Sequence, residues 1–88
     1  MPDDLQERLA KLEHRLKSEA DEARAELDRA DATFKEASAN AYELGLNTVD
    51  GAHSLRQAAE AHAAATTAYG RAVGRFSNFL LHGKPPED

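Results

Sequence analysis

The chain has 88 residues, 41% of them hydrophobic, with no cysteine and a formal net charge of -5. This length allows one small domain, and the lack of cysteine excludes disulfides and thiolate metal sites. The acidic balance disfavours nonspecific binding to nucleic acid or to an anionic membrane surface. No apolar run approaches the roughly 18 residues that cross a membrane, and the acidic N-terminus lacks the pattern of a secretory signal. We therefore expect a soluble, cytoplasmic protein.

A first helix is predicted from about residue 3 to residue 44. Asp3 and Asp4 complement the partial positive charge of a helix N-terminus, and no Gly or Pro follows until Gly45. Apolar residues recur at spacings of 4 and 3, with one extra step of 4 after Leu16 that is typical of a heptad stutter. The predicted inward stripe comprises Leu5, Leu9, Leu12, Leu16, Ala20, Ala23, Leu27, Ala30, Phe34, Ala37, Ala41 and Leu44. At 1.5 Å per residue, this helix would be about 60 Å long.

A second helix is predicted from about residue 50 to residue 82. Gly45 suits the position just past the first helix, and Asn47 or Asp50 can cap the second. Gly83 and the two prolines that follow it end the second helix, so residues 85–88 are expected to form a flexible tail. The predicted inward stripe comprises Leu55, Ala59, His62, Thr66, Tyr69, Val73, Phe76 and Leu80.

Two long helices joined by a short loop indicate an all-α fold, an antiparallel two-helix hairpin. We assign residues 1–84 to this single helical-hairpin domain. If the turn centres near Asn47, neighbouring residues on the two helices have numbers that add up to about 95. Gly70 and Gly74 inside the second helix each cost about 1 kcal/mol relative to alanine. Close backbone approach or local fraying would explain their presence.

Charge supports the antiparallel pairing. Residues 1–44 carry a net charge of -5, whereas residues 45–84 carry +2. The register places Arg71 and Arg75 opposite the acidic segment from Glu19 to Glu26. Exposed ion pairs contribute only about 0 to 1 kcal/mol each, so these pairs are expected to set orientation more than stability.

The predicted register leaves apolar residues without a partner at the open end of the hairpin. Leu5, Leu9 and Leu12 extend past the second helix, while Phe79 and Leu81 fall beside its main stripe. A lone two-helix hairpin also leaves one side of each stripe in water. The sequence therefore predicts a non-enzymatic protein–protein interaction module that forms a homodimer, most simply a four-helix bundle. The predicted interface comprises Leu5, Leu9, Leu12, Leu16, Phe76, Phe79, Leu80 and Leu81.

Two other functions are open. One is an adaptor or chaperone-like subunit whose apolar stripe binds a helix of another protein. The other is a metal-dependent all-α hydrolase that uses acids of the first helix, such as Glu19 and Glu22, which share a face. Di-metal bundles also need a matching acidic or Glu-x-x-His element on a facing helix, and the second helix offers only Asp50 and Glu60. A solvated acidic face is therefore predicted.

No residue of the sequence is assigned a catalytic, cofactor-binding or metal-ligating role. His62 lies on the inward stripe, with Thr33, Phe34 and Lys35 as its expected neighbours, and we interpret it as an interface histidine. The hydroxyl residues Ser54, Thr67 and Ser77 have no histidine and acid in a recognisable triad order. We expect no cofactor, and we expect neither nucleic acid nor membrane as a partner.

Overall fold

The protein consists of two α-helices, as a computed structural model describes it for residues 2–44 and 49–83. Helix α1 spans Pro2–Leu44 and helix α2 spans Val49–His82, and this part of the chain contains no strand. The all-α class and both helices are confirmed. The bounds agree with the predicted ones to within a residue at all four helix ends, as expected where Gly and Pro mark the boundaries.

Gly83 ends α2. Its φ angle is +64°, a left-handed conformation that glycine adopts at low cost, and its N–H donates to the carbonyl oxygen of Phe79 at 2.7 Å. This hydrogen bond satisfies one of the last carbonyl groups of the helix. The role predicted for Gly83 is confirmed, whereas Gly45, Asn47 and the predicted tail 85–88 lie outside the described residues.

The helices pack against each other as an antiparallel hairpin. Four side-chain contacts connect them: Glu19 with Arg75, Arg24 with Tyr69, and both Asp31 and Phe34 with His62. In each contact the two residue numbers add up to between 93 and 96, close to the predicted sum. A residue of α1 therefore lies at the same height as the α2 residue that brings the sum to about 94.

The two helices differ in length. Helix α1 has 43 residues and α2 has 34, and the molecule measures 65 × 17 × 15 Å. At 1.5 Å per residue, α1 alone accounts for the long dimension, so α2 lies alongside it for its whole length. His82 reaches the height of Leu12, and residues 2–11 extend beyond α2 by roughly 15 Å.

The buried core is small and lies along the seam between the helices. Its hydrophobic members among the described residues are Leu16, Ala20, Ala41, Ala58, Ala72 and Phe79. Four of the six are alanine, and the two large side chains are at the open end. Along the rest of the seam, the larger apolar side chains are only half-buried: Leu27, Phe34, Leu55, Tyr69 and Phe76. A single hairpin thus removes little bulky apolar surface from water.

The inward stripe of α2 differs from the predicted one at every second position. The residues that turn toward α1 are Gly51, Leu55, Ala58, His62, Ala65, Tyr69, Ala72, Phe76 and Phe79, all buried or half-buried. The assignment of Ala59, Thr66 and Leu80 to the stripe was wrong, because all three are exposed. Each lies next to a residue that faces inward instead. The contact face of α2 is therefore rotated by part of a turn from the predicted one.

Gly70 and Gly74 are not explained by close packing. A Cβ atom built on either glycine would meet no atom within 4 Å, and α2 continues through both without interruption. The interpretation as a close backbone approach was wrong. The cost in helix propensity at these two positions is therefore not offset by a contact inside the hairpin.

Candidate interaction surfaces

One side of the seam carries only small residues at its inward positions. We call it the alanine face, defined by Ala23, Ala30 and Ala37 of α1 and Gly51, Ala58, Ala65 and Ala72 of α2. Two open grooves, of 530 and 580 Å³, follow it along the molecule. The groove nearer the turn is lined by polar residues such as Asn40 and Gln57, by the buried Ala58 and by the exposed Ala61.

The second groove lies nearer the open end and has charged edges. Glu19, Glu22, Glu26 and Arg29 of α1 line it on one side, and Ala68, Ala72 and Arg75 of α2 on the other. Arg29 forms an ion pair with Glu26, and Arg75 approaches Glu19 to 3.9 Å. The predicted apposition of Arg75 to the acidic segment is confirmed, and the α1 edge of this groove remains rich in carboxylates.

The opposite side of the seam carries the large side chains. We call it the aromatic face, defined by Leu27, Phe34, Leu55, His62, Tyr69 and Phe76. A depression of 240 Å³ on this side is lined by residues that include Arg24, Asp31 and Thr66. Arg24 and Glu26 are two positions apart, or about 200° around the helix, which places them at opposite edges of α1.

A polar network covers the aromatic face. The Arg24 guanidinium lies 5.6 Å from the centroid of the Tyr69 ring and donates to Asp28 at 3.2 Å. Its side-chain hydrogen bond with Tyr69, followed by the charge of Asp28, raises the pKa of Arg24, so this group stays charged across the neutral range. Farther along, Asp31 lies 3.1 Å from the ammonium group of Lys35.

His62 lies at the centre of this network. Its ring is 5.7 Å from the Phe34 ring, which confirms one expected neighbour, and its Nε2 lies 3.6 Å from Asp31. Asp31 was missed in the sequence, although its place three residues before Phe34 puts it on the same helix face. The contact between charged Asp31 and the edge of the imidazole lies at the surface, where both side chains remain partly exposed.

Asp31, His62 and Thr66 are residue types of a nucleophilic triad, and all three line one depression. The Thr66 hydroxyl donates to the main-chain carbonyl oxygen of His62 at 2.8 Å. A nucleophilic hydroxyl would instead donate to the imidazole that acts as its base. The observed hydrogen bond is a local one within α2, of the kind that Ser and Thr commonly form inside helices.

Residues 2–44 and 49–83 contain neither a metal-ligating group nor a membrane-spanning stretch. There, His, Asp and Glu side chains do not come together in any group of three or more that could hold a metal ion. Glu19, half of the E-x-x-E pair, faces Arg75. Neither helix, within the same residues, has a stretch that is long and apolar enough to cross a membrane.

The residues of the predicted interface differ widely in exposure. Leu5, Leu80 and Leu81 are exposed, at 59%, 56% and 77%. Leu9, Leu12 and Phe76 are half-buried. Leu16 and Phe79 are buried within the hairpin itself, because Phe79 faces inward where Leu80 was expected. Any role for this set between molecules stays a prediction.

The leucines of the open end lie on the same side as the alanine face. Counting by sevens, Leu9 and Leu16 continue the column of Ala23, Ala30 and Ala37. Leu5 and Leu12 continue the neighbouring column, whose later members are Glu19, Glu26, Thr33 and Asn40. Residues seven apart share a position on a helix that packs in heptads. One apolar surface therefore runs from Leu5 through the alanine face.

Comparison with protein-family models, with curated proteins and with solved structures found no match. What this chain does must therefore be argued from its own surfaces.

Proposed function

We propose that this protein is a non-enzymatic interaction module that self-associates, two hairpins forming a homodimeric four-helix bundle. The observation that carries this proposal is the thin core of the hairpin, in which four of six buried hydrophobic residues are alanine. Small domains with so little buried bulk commonly gain stability from a partner subunit. A second copy offers the same surplus of apolar surface and would cover it symmetrically.

The exposed leucines indicate how much is gained by covering that surface. Leu5, Leu80 and Leu81 are all more than half exposed, and full burial of a leucine side chain stabilises by about 1.5–3 kcal/mol. The half-buried Leu9 and Leu12 add to the same surface. Association loses several kcal/mol of translational and rotational freedom, so the alanine face or the seam must contribute as well.

Light scattering at micromolar concentration tests the proposal. We expect the purified chain to show twice its mass of 9.6 kDa, together with a melting temperature that rises with protein concentration. A cooperatively folded monomer, unchanged in mass up to high concentration, would contradict the proposal.

A pair of variants locates the contribution of the open end. Leu9→Asp with Leu12→Asp should reduce the mass to that of one chain, because four carboxylates per dimer would enter an apolar contact. Gln6→Asp with Ala10→Asp is the matched control, since both residues are exposed on the same overhanging segment and the change in charge is the same. If the two double variants dissociate equally, net charge rather than the leucines is responsible.

An adaptor that binds a helix of another protein is the second candidate. The open grooves of the alanine face favour the adaptor function, because a helix of another protein could lie along them. Thermal unfolding of the pure chain separates the two functions. Self-association predicts one cooperative transition that depends on concentration, whereas an adaptor without its partner is expected to be loosely packed and to melt broadly at every concentration.

A further inference from the structure

We infer that two copies stack through their alanine faces with their open ends together, so that α1 of one copy lies against α2 of the other. This inference rests on the proposed self-association and specifies its surface and direction.

The alanine face is the surface that a second copy can cover at least cost. It lies on the same side as the leucines of the open end, and with open ends together the overhanging residues 2–11 of the two α1 helices lie at the same end of the bundle, beyond both α2 helices. Gly51, Ala58 and Ala72 are already buried in the seam, whereas Ala23, Ala30, Ala37 and Ala65 are half-buried, and these small residues leave open grooves that a second copy could cover. The aromatic face, in contrast, is covered by Arg24, Asp28, Asp31 and Lys35, whose charges would lose hydration in a helix–helix contact.

Two directions are possible for a symmetric stack. If the copies run in opposite directions, α1 lies on the α1 of the partner, and full overlap places the twofold axis near residue 23, the middle of Pro2–Leu44. If the open ends coincide, α1 lies on the α2 of the partner. The hairpin register then sets the heights, because a residue of α1 faces the α2 residue that brings the sum to about 94.

Charge decides between these directions. In the opposed stack, Glu22 would face the Glu22 of the second copy, and Arg71 would face the second Arg71, since Arg71 is also at the height of residue 23. In the stack with open ends together, Glu22 faces Arg71 twice. Both side chains are exposed and neither is the other's partner within one hairpin. Opposite charges across the contact favour the second arrangement.

A single distance between two copies tests the direction. The chain has no cysteine, so Tyr42→Cys gives one spin label per copy, at a side chain that is 82% exposed and on the edge away from the alanine face. With open ends together, we expect a label-to-label distance of at most about 35 Å, set by the 17 × 15 Å cross-section of each copy. The opposed stack predicts about 57 Å, or 38 residues of α1.

Three outcomes of this measurement have different meanings. A short distance in a species of twice the chain mass supports the inference. A distance near 57 Å overturns the direction but leaves the homodimer intact. A monomer mass without dipolar coupling overturns the proposed function itself, and the inference with it.

Charged substitutions test the surface. Ala68→Glu places a carboxylate on the alanine face, whereas Ala63→Glu places it about 140° away on α2; both alanines are exposed, so each variant should keep the helical content of the parent chain. We expect Ala68→Glu to weaken self-association at least tenfold and Ala63→Glu to change it less than threefold. Equal dissociation constants for the two variants would show that the alanine face is not the contact.

Charge reversal tests surface and direction together without adding bulk. Glu22→Arg alone and Arg71→Glu alone should each weaken self-association about three- to tenfold, and the double variant should restore the parent affinity. In the opposed stack, the single reversals only exchange one like-charge pair for another. An affinity unchanged by Glu22→Arg would therefore refute the stack with open ends together.

Discussion

The two helices pack differently on the two sides of their seam. On the aromatic face, large side chains reach across, and charged groups contact two of them: Arg24 lies over Tyr69, and Asp31 lies beside His62. On the alanine face, the helices meet through Ala58, Ala72 and their equivalents, and the described residues leave two open grooves along them. Charged side chains of the same chain thus contact the aromatic face, whereas the alanine face carries open grooves.

This difference teaches which property each side contributes. Large groups in contact fix the rotation and register of the helices, because they interdigitate. Small residues set only the distance between the helix axes. We therefore expect the aromatic face to tolerate the loss of single contacts and the alanine face to resist any gain of volume. The following substitutions, from the largest expected effect to the smallest, test this contrast.

Phe79→Ala should have the largest effect, because Phe79 is the one aromatic residue among the buried core members. It lies at the open end of α2, at the same heptad position as Gly51, Ala58, Ala65 and Ala72, and it is large where they are small. We expect a loss of about 3–5 kcal/mol in the free energy of unfolding, measured by urea denaturation at fixed protein concentration. The neighbouring exposed Asn78→Ala should change stability by less than about 0.5 kcal/mol. A loss below about 1 kcal/mol for Phe79→Ala would mean that the open end is not packed as described.

Ala72→Leu should break the alanine face itself. Ala72 is 4% exposed at the helix contact, so three added carbon atoms force the helices apart, and we expect a loss of about 1–3 kcal/mol. Ala63→Leu adds the same volume at an exposed site of α2 and should have almost no effect. Circular dichroism melts of the two variants make the comparison. If Ala72→Leu is stabilising, the seam has unused space and the alanine face is not a close contact.

Gly70→Ala should stabilise the protein by about 1 kcal/mol, because the new methyl group meets no atom and alanine has the higher helix propensity. This substitution sharpens the contrast by showing that small residues outside the seam are not there for packing. Gly83→Ala, the same change at a φ of +64°, should destabilise by a similar amount. Thermal melts compare the melting temperatures of both variants with that of the parent chain. A destabilised Gly70→Ala would reveal a contact on the outer surface of α2.

Arg24→Ala should have the smallest effect, a slight loss in the free energy of unfolding from the lost contact with Tyr69. Arg15→Ala is the control, since it removes an exposed arginine from the same helix. Urea denaturation at low and high salt makes the measurement. A loss in the free energy of unfolding as large as that of Ala72→Leu would show that the network on the aromatic face is a structural element rather than a cover.

The sequence was sufficient for the helices and their register. Gly83 and the long run without Gly or Pro marked where helices stop and continue, and the antiparallel register follows from a short turn, as the contact of Glu19 with Arg75 confirms. These features are local, and each depends on backbone chemistry that does not change with the partner helix.

The phase of the α2 stripe could not be predicted in the same way. Ala58 and Ala59 are identical, and Phe79 and Leu80 are both large and apolar, so hydrophobicity alone cannot choose which of each pair turns inward. The choice depends on the shape of α1, whose own alanine column admits a close approach on one side only. The two faces, and with them the candidate interaction surface, therefore emerge only when both helices are placed together.

Gly83 has a consequence beyond the end of one helix. Because α2 stops there, α1 extends about ten residues beyond it, and each added residue of α2 would cover about 1.5 Å of that extension. One further turn would bring α2 to the height of Leu9. The position of Gly83 thus determines how far α2 extends along the leucine-bearing start of α1, and how much of that leucine surface lies beyond α2.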